Sequence, residues 1–280
     1  MKKRMTKLIS AAVIGAMALG LAACGSSADK SGTAGGASSA ASSTSAETAS
    51  VSTVEKGKLH MATNAQFPPY EMTKDDGGYE GIDVEIAEAI AKKLDLTLVV
   101  DDMDFSAVVT SVQSGKEDMA MAGLTVNDER KKNVDFTDTY AKAVQKIIVK
   151  KGSSIKTAKD LKKAGKIGVQ EGTTGATYCT DDFGADHVTA YTNGATAVQA
   201  LVSGKADAVV IDSEPAKEFV KNNDGLKILD SSYVEEEYAI GINKKNPELR
   251  KAINNALNEL KKDGTVQKII DKYITADGTK

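Results

Sequence analysis

The chain has 280 residues, 41 % of them hydrophobic and 27 % charged, with a formal net charge of −3. That length holds one or two globular domains. No basic stripe or aromatic platform points to nucleic acid, and His60 and His187 stand alone without metal-ligand spacing, so neither a metal nor a cofactor is expected.

Residues 1–23 do not belong to the fold. Lys2, Lys3, Arg4 and Lys7 make a basic start, residues 8–21 are apolar and Ala-rich, and small residues precede Cys24. This is a secretory signal, too short for a membrane span. The tetrapeptide Leu21-Ala22-Ala23-Cys24 resembles the lipobox of bacterial lipoproteins, which implies cleavage before Cys24 and a lipid on its sulfur. A plain signal with an incidental cysteine is the alternative. Removal of the signal takes the net charge from −3 to −7. With Cys24 acylated, Cys179 is the only free thiol and no internal disulfide can form. The rest of 24–53 is almost wholly Ser, Ala, Thr and Gly, a composition that cannot bury enough apolar surface to fold, and reads as a flexible tether.

Residues 58–63 then read as a first strand, and 64–71 as a loop that Pro68 and Pro69 keep out of helix. Asp83 can cap a helix on which Ile86, Ala87, Ile90 and Leu94 recur at helical spacing. Residues 96–100 form a second strand, Asp104 opens a helix running to Gly115, and 119–122 make a short, buried third strand that Gly123 ends. Thr125 follows with a hydroxyl, Asn127 caps a short acidic turn, and Arg130 lies in it near the strand's carboxyl end, where open α/β sheets bind ligands. A carbonyl, a hydroxyl and a guanidinium within eight residues suit a small zwitterion, because the planar fork of Arg matches a carboxylate two bonds at a time. The bland alternative for 128–132 is a solvated charged helix face.

Helix, Ser-Gly-Lys-x-Asp turn and strand occur in that order at 108–122 and again at 197–211, with Gly115 and Gly204 where a helix stop wants a left-handed residue. Two α/β lobes of similar design are the simplest interpretation; chance likeness of one αβ unit is the other. In the second lobe a short helix is expected over 155–161. Gln170 ends a strand, and Gly172-Thr173-Thr174-Gly175 opens a helix whose N–H groups can seat a carboxylate or serve as an ordinary capped turn. Asp212, at the carboxyl end of a buried strand, can hold an ammonium or cap the helix begun by Ser213-Glu214-Pro215. A strand at 238–242 returns to the first lobe. Helices follow with Leu249, Ile253, Leu257 and Leu260 on one face, and then over 265–273. The lobes are thus 54–140 with 239–280, and 145–235, joined by two crossings that make a hinge.

Several of these pieces together resemble the extracellular solute-binding protein family 3, the polar amino-acid receptors of ATP-driven importers: Ala65-Gln66-Phe67-Pro68-Pro69-Tyr70-Glu71, Gly81-Ile82-Asp83-Val84, Met103-Asp104-Phe105-Ser106, Ala122-Gly123-Leu124-Thr125-Val126 with Glu129-Arg130, Asp135-Phe136-Thr137, Gly172-Thr173-Thr174-Gly175 and Ile211-Asp212. The resemblance runs from about residue 58 to 274. It implies an α/β, two-lobed type II periplasmic-binding fold that closes on a polar L-amino acid and delivers it to a membrane permease, as a lipid-anchored monomer outside the cytoplasm. It also implies main-chain and hydroxyl contacts from Gly123 and Thr125, a carboxylate clamp at Arg130, and N–H donors at Thr173 and Thr174. Asp212 becomes the ammonium partner, and Phe67 with Phe105 the aromatic walls. Asn64 and Gln170 stand where the glutamine binders carry an acid and a lysine. Both are neutral, so an uncharged ligand such as glutamine is expected first; arginine or lysine comes second, should Glu171 turn inward. A dehydratase-like enzyme on the same fold would need a poised acid or base, which this set lacks. A ligand-sensing subunit of a receptor is the remaining alternative.

Overall fold

The computed structural model describes residues 51–274. The first lobe is built on β1 (Lys58–Thr63), whose Leu59, Met61, Ala62 and Thr63 are buried. A small three-stranded sheet of β2 (Gln66–Phe67), β3 (Glu71–Thr73) and β4 (Tyr79–Glu80) follows. The chain then enters α1 (Ile82–Lys93), which buries Ile82, Val84, Ile86, Ala87, Ile90 and Ala91 along one face. Asp83 does not cap this helix, as the sequence had suggested. Gly81 holds the cap position, and Asp83 lies buried in the first turn, accepting the Gly123 N–H at 2.8 Å and the Tyr140 hydroxyl at 2.7 Å. After β5 (Thr97–Asp102) come α2 (Phe105–Gln113), β6 (Met119–Ala120), α3 (Asp128–Asn133) and β7 (Val134–Phe136). β6 is shorter than expected because Gly123, at φ +53°, turns the chain away. A Cβ on Gly123 would sit 2.8 Å from the Phe67 ring.

The chain crosses on β8 (Ala141–Lys150). The second lobe starts with a 3-10 turn at Ala158–Lys163, later than the helix expected over 155–161 because the capping box formed by Thr157 and Asp160 sets its start. Then follow β9 (Ile167–Gln170), α4 (Thr174–Phe183), a 3-10 turn (Ala185–His187), β10 (Val188–Tyr191), α5 (Gly194–Val202), β11 (Ala208–Asp212), α6 (Ser213–Lys221) and β12 (Leu226–Ile228). The return runs on β13 (Val234–Tyr238) to β14 (Gly241–Asn243), and α7 (Pro247–Lys262) and α8 (Thr265–Tyr273) close the described chain. The single strand expected at 238–242 is broken in two. Ala239 gives its N–H to Leu124 O, and Ile240 exchanges bonds with Thr137, so this stretch is satisfied by first-lobe loops rather than by a sheet.

The two main sheets run β5-β1-β6-β14-β7 and β10-β9-β11-β8-β12. Each has three parallel strands followed by an antiparallel one that belongs to the crossing. β8 and β13 pair from Ala141↔Tyr238 to Gln145↔Val234, making an antiparallel ribbon between the lobes. The repeat seen in the sequence extends to its hydrogen bonds. At each helix stop the glycine is left-handed, and the lysine N–H reaches back to a helix carbonyl, Lys116 to Ser111 and Lys205 to Ala200. The aspartate then pins the neighbouring strand: Asp118 accepts the N–H groups of Val54 and His60, and Asp207 those of Gly165 and Lys166.

Leu249, Ile253, Leu257 and Leu260 of α7 are buried, as their spacing required, and α8 ties back to α1 through Tyr273 on the Gly81 N–H. The signal, Cys24 and most of the tether lie outside the described residues. The last tether positions, 51–53, are not free chain. Val51 packs on the core, and Ser52 O accepts from Asn246. No helix among the described residues is long and apolar enough to cross a membrane.

Candidate functional site

The carboxyl ends of β1, β6, β9 and β11 meet between the lobes. They place Asn64, Ala122 and Gly123 on one side, and Gln170 and Asp212 on the other, around one cavity. Phe67, Phe105, Thr125, Arg130, Thr173 and Thr174 complete its lining. All ten residues singled out from the sequence therefore line one cavity, and Ala122 is the single addition. Glu171 does not join them. It is exposed, so the inward carboxylate that would have favoured a cationic ligand is absent from the lining.

Local chemistry explains how each is held. Asn127 caps α3 by accepting the Arg130 N–H at 2.8 Å, which fixes Arg130 in the first turn with only 8 % of its surface exposed. Its charged neighbours Glu129, Lys131 and Lys132 are exposed, so the solvated-face reading fits them and fails at Arg130 alone. The guanidinium donates to Thr125 O at 2.7 Å and, across the cleft, to Gly172 O at 3.2 Å, and it lies over the Phe105 ring at 5.4 Å. Burial lowers its pKa, with the charges of Glu236 and Asp212 acting the other way. In the second lobe, Thr173 Oγ1 caps the Ala176 N–H. That leaves the N–H groups of Thr174 and Gly175 without an intrahelical acceptor at the start of α4, the end that favours an anion.

Asp212 occupies the N-cap position of α6 but makes no capping bond with its side chain. Oδ1 instead accepts from Tyr238 Oη at 2.5 Å and Oδ2 from Gln145 Nε2 at 2.8 Å. Burial pushes its pKa up to about 7, opposed by those two bonds and aided by the Glu236 charge. Gln145, Glu236, Tyr238 and Tyr178 support the site from behind, and sequence reading singled out none of them. The signal of Gln145, Glu236 and Tyr238, polar residues on the two crossing strands, emerges once the ribbon is paired, while Tyr178 comes from α4. Glu236, 7 % exposed, adds an acid behind the cavity without lining it.

At the other end, Gln170 Nε2 donates to Asn64 Oδ1 at 3.0 Å across the cleft and to Thr192 O at 3.5 Å, while Asn64 Nδ2 donates to Met103 O at 2.8 Å. A Cβ on Gly172 would lie 3.1 Å from Ser106 Cα, so the lobes meet closely here too. The first lobe thus offers a guanidinium and a hydroxyl, and the second N–H donors and a carboxylate. Amides and phenyl rings stand between, an arrangement suited to gripping a zwitterion by both charges.

His60 is not alone, contrary to expectation. Its Nδ1 lies 2.9 Å from Asp101 and 3.6 Å from Glu117, and the ligand atoms of the three fall within 4.8 Å of one another. Burial acts to lower the His60 pKa, but the Asp101 hydrogen bond and charge outweigh it and leave the pKa raised. This is a second charged cluster, in which His60 already has its carboxylate partner.

The family model for the bacterial extracellular solute-binding proteins, family 3, matches residues 59–276. The chain belongs to that family. Among family 3 relatives, the L-cystine-binding protein TcyJ of Escherichia coli (strain K12) is 34 % identical over 229 residues, 81 % of this chain and 86 % of TcyJ. The arginine-binding extracellular protein ArtP of Bacillus subtilis (strain 168) is 34 % identical over 232 residues, 79 % of this chain and 88 % of ArtP. An ancestral arginine-binding protein, solved bound to glutamine, is 43 % identical with a TM-score of 0.74, over 78 % of this chain and 98 % of that one. The family 3 fold is two-lobed, as the paired sheets here display.

Proposed function

We propose that this protein is the substrate-binding lipoprotein of an ABC importer, closing its lobes on a polar L-amino acid and passing it to a membrane permease. The observation that carries the reading is the placement of Arg130 and Asp212 on opposite lobes of one cavity. Arg130, with the free N–H groups of α4, takes the carboxylate, and Asp212 takes the ammonium. Relatives named for binding cystine and arginine, and an ancestral arginine-binding protein solved with glutamine, support an amino-acid ligand.

The side chain of the ligand meets Asn64, Gln170, Phe67 and Phe105. Both Gln170 N–H groups are already committed, which leaves its Oε1 to accept. A ligand with N–H donors at its far end is therefore favoured. Glutamine fits best, since no carboxylate lines that end and burying an unpaired charge is costly. Arginine, whose delocalised cation can lie against the phenyl rings, is second.

A thermal-shift screen of the twenty amino acids plus L-cystine tests this. Ligand at 100 times its Kd stabilises by about 2.7 kcal/mol. Glutamine is expected to give the largest shift and arginine the next; a largest shift from cystine, or from an acidic or aliphatic amino acid, refutes the side-chain assignment. Anchoring through Cys24 is supported by Leu21-Ala22-Ala23-Cys24 and the tether. Cys24→Ala is expected to move the protein from the membrane fraction to the soluble one without changing binding, and unchanged fractionation would refute it.

A further inference from the structure

The ammonium site is wired into the hinge. Gln145 Nε2 donates one hydrogen to Asp212 Oδ2 at 2.8 Å and the other to Glu236 Oε2 at 2.9 Å, and Glu236 Oε1 accepts from Tyr178 Oη at 2.9 Å. Gln145 and Glu236 lie on the paired strands β8 and β13, and Gln145 is the register partner of Asp212 on β11. Gln145 is 1 % exposed, and neither it nor Glu236 lines the cavity. Its Oε1 is buried without a donor. Turning the amide over would set that oxygen against two carboxylates, so the observed orientation is the one both acids enforce.

We propose that Glu236 is a positioning residue for ligand capture, holding the Asp212 carboxylate in place for the ligand's ammonium through the shared amide of Gln145. The proposal rests on the reading of Asp212 as the ammonium partner. Its logic is that one NH₂ group between two acids fixes both, and that the second acid belongs to a strand of the ribbon between the lobes. Closure and the aim of Asp212 are thereby set by the same residues.

The Glu236 charge has a further, measurable consequence. Burial first, and then Glu236, raise Asp212 to about 7 against the bonds from Tyr238 and Gln145. The other titratable groups around Asp212 are Arg130 on α3, Tyr178 on α4, Tyr238 on β13, Tyr70 between β2 and β3, and Glu71 on β3. The three phenols and Glu71 are all raised, while the Glu236 charge acts directly on Asp212. Only ionised Asp212 can hold an ammonium, so capture below the midpoint releases the Asp212 proton to solvent.

The test is calorimetric titration of L-glutamine and, in parallel, L-arginine from pH 5.5 to 8.5 into the parent, Glu236→Gln, Glu236→Asp and Asp212→Asn. Glu236→Gln keeps an acceptor for Gln145 and a partner for Tyr178 while deleting the charge. In the parent, affinity is expected to fall about tenfold per pH unit below the midpoint. In Glu236→Gln that midpoint should drop by at least about half a unit, so binding at pH 6, relative to its own plateau, is about threefold stronger than in the parent. Glu236→Asp, which withdraws the charge from Gln145 by one methylene, should bind about tenfold more weakly at pH 8.5, an effect on the order of 1.4 kcal/mol. A uniform loss at every pH with an unmoved midpoint in Glu236→Gln, or parent-like affinity in Glu236→Asp, overturns the proposal. If Asp212→Asn loses binding while the Glu236 variants behave as the parent, Glu236 alone is refuted. Parent-like binding by Asp212→Asn, or no binding by the parent, refutes the ammonium reading with it.

Discussion

Arg130 shows how much one residue type reveals before any fold is known. The Thr125 carbonyl and the Phe105 ring, both of its own lobe, fix the plane of the guanidinium before a ligand arrives, which lowers the ordering cost of a bidentate grip. Arg130→Ala is expected to weaken amino-acid binding by about 2–5 kcal/mol, because a desolvated carboxylate loses its partner. The ligand-free protein should lose only about 1 kcal/mol, for the unpaired Thr125 carbonyl. Calorimetry showing affinity within about threefold of the parent, under 1 kcal/mol, would sink the clamp. Arg130, Asp212 and Thr174 were legible because few residues can do their chemistry at a strand or helix end. Glu236 and Gln145 were not, since Gln145 meets Asp212, 67 positions on, and Glu236, 91 positions on, only when the strands are brought together. Asp83 misled for a related reason. An aspartate at a helix start reads as a cap, and local sequence does not show that Gly123 and Tyr140 will claim its oxygens.

Elements with their own pattern were read well, and those defined by pairing were not. α7 and α8 follow from apolar spacing and a Pro at the helix start, and the Ser-Gly-Lys-x-Asp turns follow from the left-handed stop. That turn does more than end a helix. In both lobes its aspartate fastens the start of the adjacent parallel strand, so the strand's far end arrives at the cleft in register. Strand lengths depend instead on what lies opposite. β6 stops after two residues because Gly123 turns under Phe67, and 239–240 leave the sheet because Leu124 and Thr137 supply their bonds. The hinge was legible as two crossings, but not as one ribbon, because its pairing joins residues almost a whole lobe apart in sequence.

At the scale of the whole molecule, the cost of assembling this cleft is paid in buried acid groups, and pH exposes it. Asp212 is raised to about 7 and Asp83 to about 6, each chiefly by burial, and Glu71 is raised well above its ordinary range by burial and by the facing Asp83. Glu71 has no donor among the described residues, so a proton on Glu71 is what lets the two acids lie together. A raised carboxyl binds its proton more tightly folded than unfolded. Its stabilising contribution is therefore complete below the unfolded value near 4 and is lost as pH rises through the folded value. Glu117, raised to about 7, and His60, raised as well, act in the same direction. The ligand-free protein is expected to melt at progressively lower temperature from pH 5 to pH 8, with a loss on the order of 2–4 kcal/mol. Saturating amino acid brings an ammonium to Asp212 and removes that residue's share, so the shift produced by ligand should grow with pH. Asp212→Asn should flatten the ligand-free curve. Scanning calorimetry at pH 5, 6, 7 and 8 decides: a melting temperature that holds or rises over this window would mean that these carboxyls are not the ones carrying protons in the folded chain.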